Sequence, residues 1–139
     1  MRFGVAVRAF VQGALIMLAG TVAAALVASF VIAGASGSAG SAGFVWASAG
    51  VAVVLHGLLG HFGARAAARR LRDAHEIGVT GAVLACAGPV LVSLLGQAGA
   101  VAQTGDAVML APTCAALVGA VLGAVSVARE GERSPSAPR

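Results

Sequence analysis

Long stretches of this chain carry no charge at all. No Asp, Glu, Lys or Arg occurs from residue 9 to 64, from 77 to 105, or from 107 to 128. A helix needs about 20 consecutive, mostly apolar residues to cross the hydrocarbon core of a bilayer. The second and third stretches each hold one such crossing, and the first is too long for one. It is divided by residues 34–43, GASGSAGSAG, which lack any bulky side chain. A Gly/Ser run of that kind favours a loop. The predicted spans are therefore 9–33, 44–63, 77–98 and 107–128. In hydrocarbon every backbone N–H and C=O must be bonded within the protein, so a few long apolar tracts mean helices. The expected fold is all-α, an integral membrane bundle of four antiparallel transmembrane helices.

Composition narrows the function classes. The chain is 59% hydrophobic and only 10% charged, with a mean hydropathy of +0.96. Soluble domains carry about 25% charged residues, so this chain has too few to coat a water-soluble globule. A soluble enzyme and a disordered regulator are excluded on that ground. The net charge of +4 does not point to nucleic acid either. The positive charges are all arginine, at positions 2, 8, 65, 69, 70, 72, 129, 133 and 139. They form three clusters separated by apolar tracts, with no basic face interleaved with aromatics.

Those clusters fix an orientation. Segments on the cytoplasmic side carry the Arg/Lys excess. With four spans, the N-terminus, the loop after span two and the C-terminus share one side, and they hold every arginine. The loops at 34–43 and 99–106 hold none. The expected topology has both termini in the cytoplasm. Heavy use of Ala, Gly, Val and Arg with no Lys, Asn or Tyr suggests a GC-rich bacterial genome, hence a bacterial cytoplasmic membrane. Residues Ala33-Gly34-Ala35 match the A-x-A pattern of signal cleavage, but signal h-regions run about 7–15 residues. The first tract is longer, so it is expected to stay as a span. The tail, 129–139, is polar with two prolines and is expected to be disordered.

In the loop after span two, Arg65, Arg69 and Arg72 follow i, i+4, i+7 spacing and share a helical face. Span two should continue as a helix past the membrane and turn near 75–78. Arg69–Asp73 and Arg72–Glu76 are possible i, i+4 pairs. The three arginines are candidate contacts for anionic lipid headgroups, or simply an anchor on the positive side.

His56 is the candidate functional residue inside the membrane. It lies about 12 Å in from Ala64 on a 1.5 Å rise, close to the midplane. Ionisable groups at that depth mark proton relays, ligands or gates. The plainer reading is a neutral imidazole bonded to a hydroxyl or carbonyl on a neighbouring helix. His61 lies five residues on, on another face, and no second span carries a mid-membrane histidine, so no haem site is expected. The chain has no G-x-S-x-G, H-E-x-x-H, C-x-x-C or P-loop. No catalytic residue, cofactor or metal is expected. Cys86 and Cys114 read as packing residues at different depths. Pro89 and Pro112 should kink spans three and four, with Ser93 and Thr113 resatisfying the freed carbonyls.

Small residues recur at i, i+4 spacing: Gly20, Ala24 and Ala28 in span one; Ala52, His56 and Gly60 in span two; Ala115, Gly119 and Gly123 in span four. Such ridges let helices approach closely. In size and span number the chain is similar to small four-span groups, such as flippase accessories and accessory subunits of respiratory complexes. None of their local signatures occurs here, so no residue takes a role from them. The expected function is a non-catalytic accessory or scaffold subunit that packs with itself or with a membrane partner. Its expected surroundings are the lipid bilayer, with no nucleic acid. The alternatives are a small pore or carrier lined by His56, and a lipid- or isoprenoid-modifying enzyme using His56, His61 or His75.

Overall fold

The computed structural model describes residues 2–35, 37, 40–75, 78–105 and 107–132. Among them are four long helices: α1 (Phe3–Gly34), α2 (Ala42–Asp73), α3 (Val79–Thr104) and α4 (Ala111–Glu132). A short 3-10 helix, Ala107–Leu110, leads into α4. All four long helices are long and apolar enough to cross a membrane. The helices run past the predicted spans at most ends.

Local chemistry explains the boundaries. Ser41 caps α2, its hydroxyl accepting from Phe44 N–H at 3.3 Å, so the helix starts two residues before the expected Phe44. The Ala/Arg-rich segment 64–72 is made of good helix formers, and α2 continues to Asp73. It ends where His75 adopts a left-handed φ of 57° and donates its N–H to the Arg72 carbonyl at 2.8 Å. Arg70 and Arg72 in the last turn complement the negative helix end. The loop expected at 99–106 is largely helical. A lone Gly99 does not break a helix, and α3 stops only at Gly105, left-handed at φ 67°. Residues 129–132, expected in the disordered tail, extend α4. Residues 133–139 lie outside the described residues.

Chain neighbours run antiparallel, as expected. The layout is nevertheless a rhombus rather than a square. α2 and α3 touch across the short diagonal, while α1 and α4 each pack on both of them and, among the described residues, do not touch each other. The most extensive contact joins α2 with α4. These two helices are parallel, because Gly57 meets Ala115 and Gly119, His61 meets Gly123, and Arg65 reaches Glu130.

Glycine makes that contact possible. A methyl group on Gly119 would strike the Gly57 carbonyl, with the Gly57 carbonyl carbon at 2.8 Å. One on Gly123 would strike the His61 carbonyl, and one on Gly60 the Ala116 carbonyl. Backbones this close gain dispersion along their whole length. They also bring carbonyl oxygens towards Cα–H groups, worth about 0.5–1 kcal/mol per contact.

A second knot joins α1, α2 and α3. Pro89 is fully buried in α3. Its ring lies so close to Gly13 and Gly63 that a Cβ on either would come within 3.1 and 2.9 Å of it, respectively. Proline removes one helical hydrogen bond, yet α3 runs through it unbroken. The close fit of the ring offsets that loss. Pro112 does not interrupt a helix either, since it stands in the first turn of α4. That is a position where proline costs little. Ser93 and Thr113 do not resatisfy carbonyls, contrary to expectation. Their hydroxyls bond each other across α3 and α4 at 3.2 Å.

The core is lopsided. The apolar cluster Ala9, Ala67, Ala68, Leu71, Ala85, Ala124 and Val127 lies at the arginine-bearing end. Towards the other end, none of the described residues 18–34, 42–55, 94–99, 101–103 or 107–115 is buried. Leu26, Phe30, Val45, Val51, Val54 and Leu95 are all exposed there. An aqueous solvent would leave that surface unstable, whereas hydrocarbon leaves it solvated.

Candidate functional site

His56 marks the boundary between the packed and unpacked halves. Buried positions 56, 60, 63, 64, 67 and 71 share one face of α2, and His56 is the last of them, at 8% exposure. Its Nδ1 lies 2.8 Å from the Ala52 carbonyl oxygen. A carbonyl only accepts, so Nδ1 is the donor and Nε2 carries no proton in the neutral ring. The partner is thus on the same helix, one turn back, and not on a neighbour as expected. His61 is half-buried and lies edge-on to Phe62, with ring centroids 5.4 Å apart. His75 ends α2 and is exposed. The three histidines are not gathered into one site. Among the described residues, no three His, Cys, Asp or Glu side chains are placed to hold a metal ion.

The arginine stripe has a partner that its own helix does not supply. Arg65, Arg69 and Arg72 converge on Glu130 of α4. Arg65 Nη2 bonds Glu130 Oε1, and Arg69 Nη2 and Arg72 Nη1 lie 3.5 and 3.6 Å from Oε2. Arg72 Nε is also 4.0 Å from Asp73 Oδ1. The expected Arg69–Asp73 pair is replaced by these contacts, and Glu76 lies outside the described residues. Arg70 points elsewhere, donating to Gln12 Oε1 of α1 at 3.0 Å. Among the described residues, Arg65 Nε is the enclosed side-chain polar atom that has no hydrogen-bond partner.

The small-residue ridges have different fates. Ala115, Gly119, Gly123 and Gly60 are used between α2 and α4, while Gly20 faces the Leu59 side chain. Ala24 is only half-buried. The cysteines are free thiols, Cys114 exposed and Cys86 half-buried. Cys86 borders an apolar groove of about 400 Å³ between α3 and α4, with Val83, Val90, Leu117 and Val125. A cleft of about 440 Å³ between α1 and α2 is lined by Val5, Gln12, Arg70, Asp73 and Ala74.

Sequence reading missed two features. Trp46, 73% exposed on α2, stands 19 residues before Arg65, or about 28 Å along the helix. That is close to the thickness of a hydrocarbon core, about 30 Å. Glu130 was the second, hidden because its partners lie on a helix far away in sequence. No family model, curated protein or solved structure matches this chain, so its own geometry carries the functional reading.

Proposed function

We propose that this chain is a non-catalytic accessory or scaffold protein of a bacterial cytoplasmic membrane, crossing it four times with both termini and the connection between α2 and α3 in the cytoplasm. The observation that carries this reading is how its polar groups are used. The His56 imidazole is tied to its own helix, the Ser93 and Thr113 hydroxyls to each other, and the three-arginine stripe to Glu130. Each serves the bundle's own architecture. The arginine distribution supports the orientation, because the far-side segments carry none.

The carrier reading has less support. On the arginine side of His56, the route between helices is filled by Gly60, Gly63, Gly13 and the Pro89 ring at near-contact distances. An open path for a solute requires those backbones to part. Replacing His56 with alanine separates the readings. The scaffold reading expects His56→Ala to insert at normal levels and to copurify in mild detergent with the same proteins as the parent chain. A solute flux through vesicles containing only the purified chain, abolished by His56→Ala, would contradict it.

A further inference from the structure

We propose that Arg65, Arg69 and Arg72 form a binding site for the phosphodiester headgroup of an anionic phospholipid, with Glu130 gathering the three side chains into one cluster. This rests on the cluster and on the proposed crossing of a bilayer, and not on the accessory or scaffold role.

Charge is the first argument. Three guanidinium groups face Glu130 and Asp73, so three positive charges meet two negative ones, a surplus of one. Geometry is the second. Each guanidinium offers five N–H donors, and charge-assisted bonds run near 2.7–2.9 Å. The Arg69 and Arg72 contacts to Glu130, at 3.5 and 3.6 Å, are longer and leave those forks open to a further acceptor.

Depth and surroundings select a lipid over a soluble anion. The distance from Trp46 to Arg65 equals about one hydrocarbon thickness, which sets the arginines at headgroup level. Leu58 and Phe62 precede Arg65, Arg69 and Arg72 at i, i+4, i+7, i+11 and i+14 on the same helical face. Both apolar side chains are about half exposed, at 49% and 56%. A charged cluster directly above exposed apolar side chains matches a phosphate head above its acyl chains. Arg70, on another face and bonded to Gln12, is outside the site.

Native mass spectrometry of the full chain in detergent tests this, with dioleoylphosphatidylglycerol and dioleoylphosphatidylcholine as probes. The chain should prefer phosphatidylglycerol. Each guanidinium removed near a membrane surface should weaken binding by about fivefold, so Arg69→Gln with Arg72→Gln should weaken it by about 25-fold. Arg8→Gln, which also removes a positive charge but at an exposed position of α1 outside the cluster, should leave it unaltered. Glu130→Gln keeps all three arginines and an acceptor oxygen to gather them while removing the competing carboxylate charge, so it should tighten binding, which gives a readout even if the double variant fails to fold. Equal losses in Arg8→Gln and the double variant would overturn the proposal, as would no preference between the two lipids. Displacement of phosphatidylglycerol by millimolar inorganic phosphate would overturn the lipid assignment and leave a soluble-phosphate site.

Discussion

A methyl group on Gly119 would meet the Gly57 carbonyl, whereas one on Gly96 would meet nothing. The same substitution should therefore act in opposite directions at the two positions. Gly119→Ala forces α2 and α4 apart and should cost about 1–3 kcal/mol, the usual range for overpacking. Gly96→Ala, exposed in mid-helix, should stabilise by about 0.5–1 kcal/mol by restricting the unfolded backbone. Denaturation in mixed detergent micelles measures both, and a similar sign for the two would contradict the packing described. His75 gives a third case. Its left-handed φ of 57° costs a side-chain-bearing residue about 1 kcal/mol relative to glycine. His75→Gly should accordingly raise stability, partly offset by the greater freedom of glycine when unfolded. At this scale the sequence was only half informative. The ridge Ala115, Gly119, Gly123 was visible from its spacing, but its partner was not. Nor did Pro89 announce that Gly13 and Gly63 would receive its ring. Spacing reports on one helix at a time, whereas a socket is built from several.

Between elements, the pairing of α2 with α4 is the central contact, and it joins parallel helices rather than chain neighbours. A Cβ on Gly57 would lie 3.9 Å from the Ala115 Cβ, inside the range of disulfides, whose Cβ atoms sit about 3.5–4.5 Å apart. With Cys86→Ser and Cys114→Ser removing the native thiols, the pair Gly57→Cys and Ala115→Cys should oxidise within one chain. Mass spectrometry should find the linked peptides in the monomer, and a purely intermolecular product would contradict the pairing. Helix existence was legible in the sequence because uncharged stretches of about 20 residues admit few other folds. Helix ends were less so. Ser41 and Gly105 set two of them by local capping, while α2 ran on past its apolar tract because alanine and arginine sustain a helix there. The link between Arg65, Arg69, Arg72 and Glu130 was not legible. It depends on two helices ending at the same level, a property of the assembled bundle.

For the whole molecule, the core occupies only the arginine-bearing half, and the other half exposes apolar side chains throughout. Such a surface is stable in hydrocarbon and not in water, so the account stands on the chain crossing a bilayer with its arginines on one side. In a background with Cys86→Ser and Cys114→Ser, one new cysteine is placed at Gly40 or at Ala74, in the turns at opposite ends of α2. A membrane-impermeant maleimide is then applied to intact cells expressing each variant. The account predicts labelling at position 40 and none at position 74 until the cells are permeabilised. Labelling at position 74 in intact cells, or recovery of the chain in the soluble fraction, would contradict it.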